Sequence, residues 1–325
     1  MFSHIDCAPM EGVTRGLFRQ VHRAQFSGVD TYFTPFLAPS ADGMFSEKEL
    51  REVRPEVNGG APTVPQLLTA RPEHFLWAAK LMGQLGYTQV DLNLGCPSGT
   101  VVAKHKGSGM LADPEGLDRF LEGIFEGLRG ENLQVSVKTR IGLEDKDNWP
   151  ALVAVFDRYP ICQLTIHPRL RRQFYKGKPD LEAFALGFSG VKLPVCYNGD
   201  LFTPEDARRL KARFPALERV MVGRGLVANP ALAREIRGGP PLTGVELRQF
   251  HDGLLEGYCA CIQGEVNILH KMKELWNYWV CLFPQDKKGV KALRKSRSLA
   301  EYRACARAVL GAEPLKNGGF CPEML

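Results

Sequence analysis

Eight short β-like runs, at residues 4–8, 31–35, 63–67, 89–93, 134–139, 163–167, 194–198 and 219–223, recur through the first part of the chain, and most are followed by a helix-like segment. Strand alternating with helix is the pattern of a parallel sheet, because each parallel return needs a crossover long enough to hold a helix. Eight such units in about 240 residues fit a (β/α)8 TIM barrel. A doubly wound sheet would usually carry a glycine-rich dinucleotide fingerprint after its first strand, and none stands there.

The helix starts agree. Asp113-Pro114-Glu115 and Thr203-Pro204-Glu205 each set a capping side chain before a proline at the first helical position, with an acid in the first turn to complement the helix dipole. The run Gly238-Gly239-Pro240-Pro241 reads as a linker, and beyond it apolar residues fall at helical spacing along 247–262, 266–282 and 293–310. A chain of 325 residues with 44% hydrophobic composition exceeds the usual size of one compact domain. The expected organisation is a (β/α)8 barrel over residues 1–240 followed by a small helical domain over residues 241–325.

No window approaches about 18 uncharged apolar residues, and the first residues carry no basic stretch leading into an apolar one. A soluble, cytoplasmic and monomeric protein, away from membranes, is expected. The nine cysteines are irregularly spaced, and the close pair Cys259-Ala260-Cys261 matches neither a zinc site nor a disulfide framework, so a reducing compartment and no metal centre are expected. The net charge of +6 is mild, but its distribution is uneven. Residues 167–178 hold Arg169, Arg171, Arg172, Lys176 and Lys178 with no acid, and residues 287–297 hold Lys287, Lys288, Lys291, Arg294, Lys295 and Arg297 with no acid. Such tracts can neutralise phosphates, the commoner alternative for either one being a solvated face.

Chemistry concentrates at strand carboxyl ends. Asp91-Leu92-Asn93-Leu94-Gly95-Cys96-Pro97-Ser98 closes an alternating run with an Asn and a Cys held on a Gly/Pro turn, so the main chain sets the direction of the Cys96 thiol. The bland reading of a cysteine is a small buried hydrophobe, which the other eight keep. Gln66, Asn93, Cys96, Lys138, Arg140, His167, Asn198-Gly199-Asp200 and Gly223-Arg224-Gly225 all fall at strand ends, which a barrel brings to one mouth. The last two strand ends offer glycine amides where barrels commonly bind phosphate, which implies a phosphorylated cofactor. Lys138 would bring one fixed positive charge to the centre of the mouth, suited to stabilising negative charge on a flavin.

Ala8-Pro9-Met10-Glu11-Gly12-Val13-Thr14, Pro65-Gln66-Leu67, Asp91 to Pro97, Val137-Lys138-Thr139-Arg140-Ile141-Gly142, Asn198-Gly199-Asp200 and Val222-Gly223-Arg224-Gly225 together resemble the flavin-dependent tRNA-dihydrouridine synthases, in order along the barrel. The helical tail also resembles that family's RNA-binding domain. The resemblance implies FMN as bound cofactor, NADPH or NADH as transient hydride donor, and reduction of the uracil 5,6 double bond of specific tRNA uridines. It implies Cys96 as the general acid that protonates carbon 5, with Asn93 and Arg140 on the substrate side. Cofactor contacts are implied for Pro9, Met10, Glu11, Gln66, Lys138, His167, Asn198, Gly199, Asp200, Gly223 and Arg224. Arg169, Arg171, Arg172, Lys176, Lys287, Lys288, Lys291 and Arg294 become candidate RNA contacts. Two departures bear on substrate contacts: Gly99 stands where the family commonly has Lys, and His167-Pro168-Arg169-Leu170 replaces the usual His-Gly-Arg-Thr.

Three alternatives stay open: a dihydroorotate-dehydrogenase-like FMN barrel acting on a free pyrimidine, a dihydrouridine synthase directed at ribosomal RNA, and an RNA-binding protein that has lost catalysis. The basic helical tail weighs against the first, and the presence of Cys96 and Lys138 against the last.

Overall fold

The computed structural model describes residues 2–40, 42–314 and 319–322. Among these, nine parallel strands form the sheet: β1 (His4–Cys7), β2 (Thr31–Phe33), β3 (Thr63–Val64), β4 (Gln66–Leu67), β5 (Gln89–Leu94), β6 (Gln134–Arg140), β7 (Leu164–His167), β8 (Val195–Tyr197) and β9 (Arg219–Val222), in the order β3-β2-β1-β9-β8-β7-β6-β5-β4. The two ends of that order, β3 and β4, are halves of one run divided at Pro65. Proline has no N–H for a ladder, so the run breaks there, yet its carbonyls serve both sides. The Val64 carbonyl accepts from Thr34 N–H at 3.0 Å, and the Pro65 carbonyl from Asp91 N–H at 2.8 Å. The eight expected runs thus close into a ring, and the barrel reading holds.

Alternation along each strand decides what enters the barrel. On β5 the side chains of Val90, Leu92 and Leu94 are fully buried in the main hydrophobic core, while the buried polar residues Asp91 and Asn93 take the alternate positions. Register sets Asp91 opposite Ser136, Asn93 opposite Lys138, and Arg140 opposite His167. Deeper in the barrel Gln163 donates to Asp6 at 2.9 Å and accepts from Arg219 at 3.0 Å, and Ala8, Phe33, Val64, Cys196 and Met221 form a small apolar cluster. The helix starts behave as capped: Asp113 accepts from Gly116 N–H, and Thr203 forms a reciprocal capping box with Asp206.

From Gly244 onward the regular structure of the described residues is helical, chiefly Gly244–Cys261, Glu265–Trp279, Lys287–Lys295 and Leu299–Val309. The first of these packs on the Gly16–Gln25 helix of the barrel, with Phe250 edge-on to Phe18 and Phe26 at 5.5 Å each. Trp279 donates to the Val227 carbonyl at 2.9 Å. A second core therefore joins tail and barrel. The segment 238–241 is fastened rather than loose, because Arg234 donates to the Pro240 and Pro241 carbonyls and the Glu235 carboxylate accepts from Leu242 N–H.

The centre of the tail is polar. Tyr302, fully buried, accepts from Trp276 Nε1 at 2.9 Å and shares a hydrogen bond with His251 Nε2 at 2.8 Å. Tyr302→Phe leaves that indole N–H without its acceptor, and is expected to cost about 1–3 kcal/mol in urea unfolding. Wild-type stability in this variant would show that the hydroxyl is dispensable.

Candidate active site

The residues assigned from sequence to catalysis, cofactor and substrate line one cleft at the strand carboxyl ends, about 950 Å³ counted out to its mouth. Pro9, Met10 and Glu11 border it from the loop after β1, Gln66 from β4, Asn93 and Cys96 from β5 and its turn, and Lys138 and Arg140 from β6. His167 closes β7, Asn198, Gly199 and Asp200 follow β8, and Gly223 and Arg224 follow β9.

A hydrogen-bond relay runs across three strands. Ser136 donates to one oxygen of Asp91 at 2.7 Å, and Gln66 Nε2 to the other at 2.7 Å. Gln66 Oε1 accepts from Asn93 Nδ2 at 2.6 Å, and Asn93 Oδ1 accepts from the backbone N–H groups of Gly95 and Cys96 at 3.0 and 2.9 Å. The chain orders itself: with Asp91 accepting, Gln66 must present its oxygen to Asn93, whose own oxygen then faces the amides of the Cys96 turn. Burial pushes the Asp91 carboxyl up to about 6 against the pull of its two hydrogen bonds. Asn93 and Gln66, read as substrate and cofactor contacts, thus spend most of their hydrogen-bonding capacity fixing the Cys96 turn.

From the other side the Cys96 carbonyl accepts from Ser108 Oγ at 2.7 Å. Gly107 sits at φ +58°, where an added Cβ would lie 3.1 Å from Cys96 Cβ, so a side chain there would press on the thiol's anchor. Burial raises the Cys96 thiol above its ordinary range and outweighs the lowering by Arg140 and Lys138. Cys96 therefore stands as a neutral thiol with a proton to give.

Lys138 is partly buried, and its ammonium has no hydrogen-bond or ion-pair partner among the described residues. Burial first, and Arg140 second, bring its pKa down to about 8. Arg140 is a clamp: its guanidinium donates to the carbonyls of Gly95, Leu170 and Phe174 at 2.9, 3.0 and 2.8 Å, tying the β5 turn to the β7 loop and leaving two of five donors. His167 is buried and held neutral, its pKa well below the usual range, first by burial and then by the surrounding cations. Arg169 can only donate, so His167 Nε2 accepts from it at 3.1 Å and the ring proton resides on Nδ1.

One sequence expectation needs correction. Arg169, read as an RNA contact, is 1% exposed and clamps Asp200 with both terminal nitrogens, so it cannot meet a phosphate on RNA. Asp200, read as a cofactor contact, lines the cleft and uses its carboxylate on Arg169 and Arg224, the latter at 2.7 Å. An anion in the cleft would be repelled by that carboxylate and drawn to the arginine it orients. Asn198 likewise ties β8 to β9 through the Met221 carbonyl at 2.8 Å.

The remaining basic candidates are exposed and free of acidic partners among the described residues, except Arg171, which is half-buried and lies 3.6 Å from Glu144. Arg172 and Lys176 are exposed on the β7 loop, and Arg171 donates to the Pro97 carbonyl at 3.2 Å, beside the Cys96 turn. On the Lys287–Lys295 helix, Lys287, Lys288, Lys291 and Arg294 are exposed while Val290 and Leu293 are buried, and among the described residues none of these four pairs with a carboxylate. Sequence reading missed Tyr175, which is 52% exposed, lines the cleft and stacks near His167 at 6.2 Å. An aromatic pair inside a basic tract was a usable signal for it. Ser108 and Ser136 gave none beyond strand alternation and a glycine-rich loop.

The family model of dihydrouridine synthase (Dus) matches residues 6–288. A "Probable tRNA-dihydrouridine synthase" of Rickettsia bellii is 33% identical over 80% of this chain and 79% of its own length. The "tRNA-dihydrouridine(16) synthase" of Pseudomonas putida is 30% identical over 76% of this chain and 77% of its own, and that of Ralstonia nicotianae is 30% identical over 92% and 94%. Among solved structures, morphinone reductase superposes with a TM-score of 0.51 at 14% identity, over 73% of this chain and 86% of that one. A 2-naphthoyl-CoA reductase complex superposes with a TM-score of 0.55 at 14% identity, over 73% and 50%. At such identities these two show the barrel fold alone.

Proposed function

This chain belongs to the dihydrouridine synthase family and is an oxidoreductase, and from that premise we propose that it reduces the uracil 5,6 double bond of a tRNA uridine, using bound FMN and a visiting nicotinamide dinucleotide, NADPH or NADH. The position favoured is uridine 16, which the names of the Pseudomonas and Ralstonia relatives carry. The observation that carries the reading is a neutral Cys96 thiol on a turn pinned by the Asp91–Gln66–Asn93 relay, facing the same cleft as the unpartnered Lys138 ammonium.

The residues present fit FMN. Gly223 lines the cleft with bare backbone, and Arg224 beside it supplies a cation for a phosphate. Lys138 supplies the charge expected near an electron-accepting ring, and His167 a neutral Nδ1–H donor. When bound, FMN would supply the hydride that reaches carbon 6 of the uracil. Cys96 would give its thiol proton to carbon 5, with Arg140 holding the turn and the β7 loop together. Purified protein is expected to be yellow and to release FMN on denaturation, and a colourless protein that fails to bind added FMN would contradict the reading.

A uracil stacked in folded RNA must be extruded to enter such a cleft, at a cost of a few kcal/mol, and surrounding contacts must offset it. In this reading residues 1–240 are the catalytic barrel and residues 241–325 the RNA-binding unit, with the exposed basic face of Lys287–Lys295 and the β7-loop residues Arg171, Arg172 and Lys176 meeting phosphates. Reversing Lys287, Lys288 and Lys291 to Glu is expected to weaken tRNA affinity and flatten its salt dependence by roughly one unit of slope per lost phosphate contact, with FMN content unchanged. Wild-type affinity and slope would reduce this face to ordinary solvated surface.

No helix among the described residues is long and apolar enough to cross a membrane. The reading places the protein in the cytoplasm with its tRNA substrate.

A further inference from the structure

Arg224 does not stand free at the cleft. Its guanidinium carbon lies 4.7 Å from the ring centre of Tyr175, 5.3 Å from that of Phe202 and 5.1 Å from that of Phe320, while one nitrogen donates to Asp200. Tyr175 and Phe202 come from barrel loops next to the site. Phe320 comes from nearly a hundred residues further along the chain, yet it is 4% exposed and packs on Phe202 at 5.2 Å and on Tyr278 at 5.6 Å. The next residue pins it: Cys321 N–H donates to Cys281 Sγ at 3.2 Å, and the Cys281 thiol donates back to the Cys321 carbonyl at 3.5 Å.

We infer that Phe320 is a positioning residue for the phosphate end of the cofactor, holding the Arg224 guanidinium in the orientation that receives the phosphate. The inference rests on the reading of Arg224 as a phosphate ligand. A ring beside the guanidinium attracts it through the ring quadrupole without consuming its N–H donors. Asp200 takes one donor and leaves the others for an oxyanion. Without the Phe320 ring the long side chain regains rotamers that phosphate binding must then remove. The C-terminal segment, read from sequence only as part of an RNA-binding domain, thereby backs the Arg224 side of the cleft from behind.

The test compares FMN with riboflavin, which lacks the phosphate, by flavin-fluorescence titration of the apoprotein. Wild type is expected to prefer FMN, and Arg224→Ala to lose that preference. Phe320→Ala and Phe320→Leu are expected to weaken FMN binding by about five- to ten-fold while leaving riboflavin affinity unchanged, and Phe320→Trp to restore it. The leucine variant keeps an apolar side chain in the tail's socket and so separates the ring from the packing. If Arg224→Ala loses the preference while both Phe320 variants keep it, or if FMN and riboflavin weaken together, the inference about Phe320 is overturned. If wild type binds the two flavins alike, or Arg224→Ala keeps the preference, the phosphate reading itself fails and the inference falls with it.

Discussion

Cys96→Ala is expected to bind FMN and accept hydride from NADPH as wild type does, yet to turn over tRNA about 10²- to 10⁴-fold more slowly, the usual worth of a positioned general acid. The turn that carries Cys96 is held through backbone groups: its N–H by Asn93, its carbonyl by Ser108, and the Gly95 carbonyl by Arg140. Alanine leaves all of these in place, so the loss isolates the thiol. Burial keeps that thiol protonated at neutral pH despite the nearby cations, which suits a proton donor and not a nucleophile. Stopped-flow flavin reduction and steady-state turnover on the same preparation separate the two half-reactions. Wild-type turnover would return Cys96 to the structural role of most cysteines.

Lys138→Met is expected to weaken FMN binding or slow its reduction by roughly 10- to 100-fold, the range of a charge-assisted contact worth about 1.5–3 kcal/mol. The methionine keeps much of the stem's volume and removes the charge. The pH dependence carries the sharper signature. Burial lowers the Lys138 pKa to about 8, so before FMN binds the cation is present below that value and lost as pH rises through it. FMN affinity of the wild type should therefore fall as pH climbs past about 8, because protonation must then be supplied from solvent on binding. The variant should show no such fall. A wild-type affinity flat across that range, or a parallel fall in the variant, would place the titration elsewhere.

The barrel was legible because its signals are local: apolar alternation, capped helix starts and turn residues at strand ends need no knowledge of distant contacts. Even the break at Pro65 leaves the run recognisable, since proline removes one N–H and not the strand direction. The cleft was legible for a topological reason, since parallel strands ending at one mouth bring Gln66, Asn93, Lys138 and His167 together whatever their separation in sequence. What each residue does there was less legible. Arg169 and Arg172 lie in the same acid-free tract, but one is buried on Asp200 and the other exposed, and charge pattern alone does not distinguish them. Arg140 and Asn93 turn inward to serve carbonyls and amides supplied by the loop geometry. Phe320 reaches Arg224 only through the docking of the tail on the barrel, which no spacing encodes.

The most direct test is mass mapping of dihydrouridine in RNA from cells with and without this chain, and with its Cys96→Ala variant restored in place of the wild type. Cells without it should lack the two added hydrogens at one tRNA position, uridine 16, and the variant should fail to restore them where wild type succeeds. Unchanged tRNA dihydrouridine, or a loss confined to ribosomal RNA, would contradict the account.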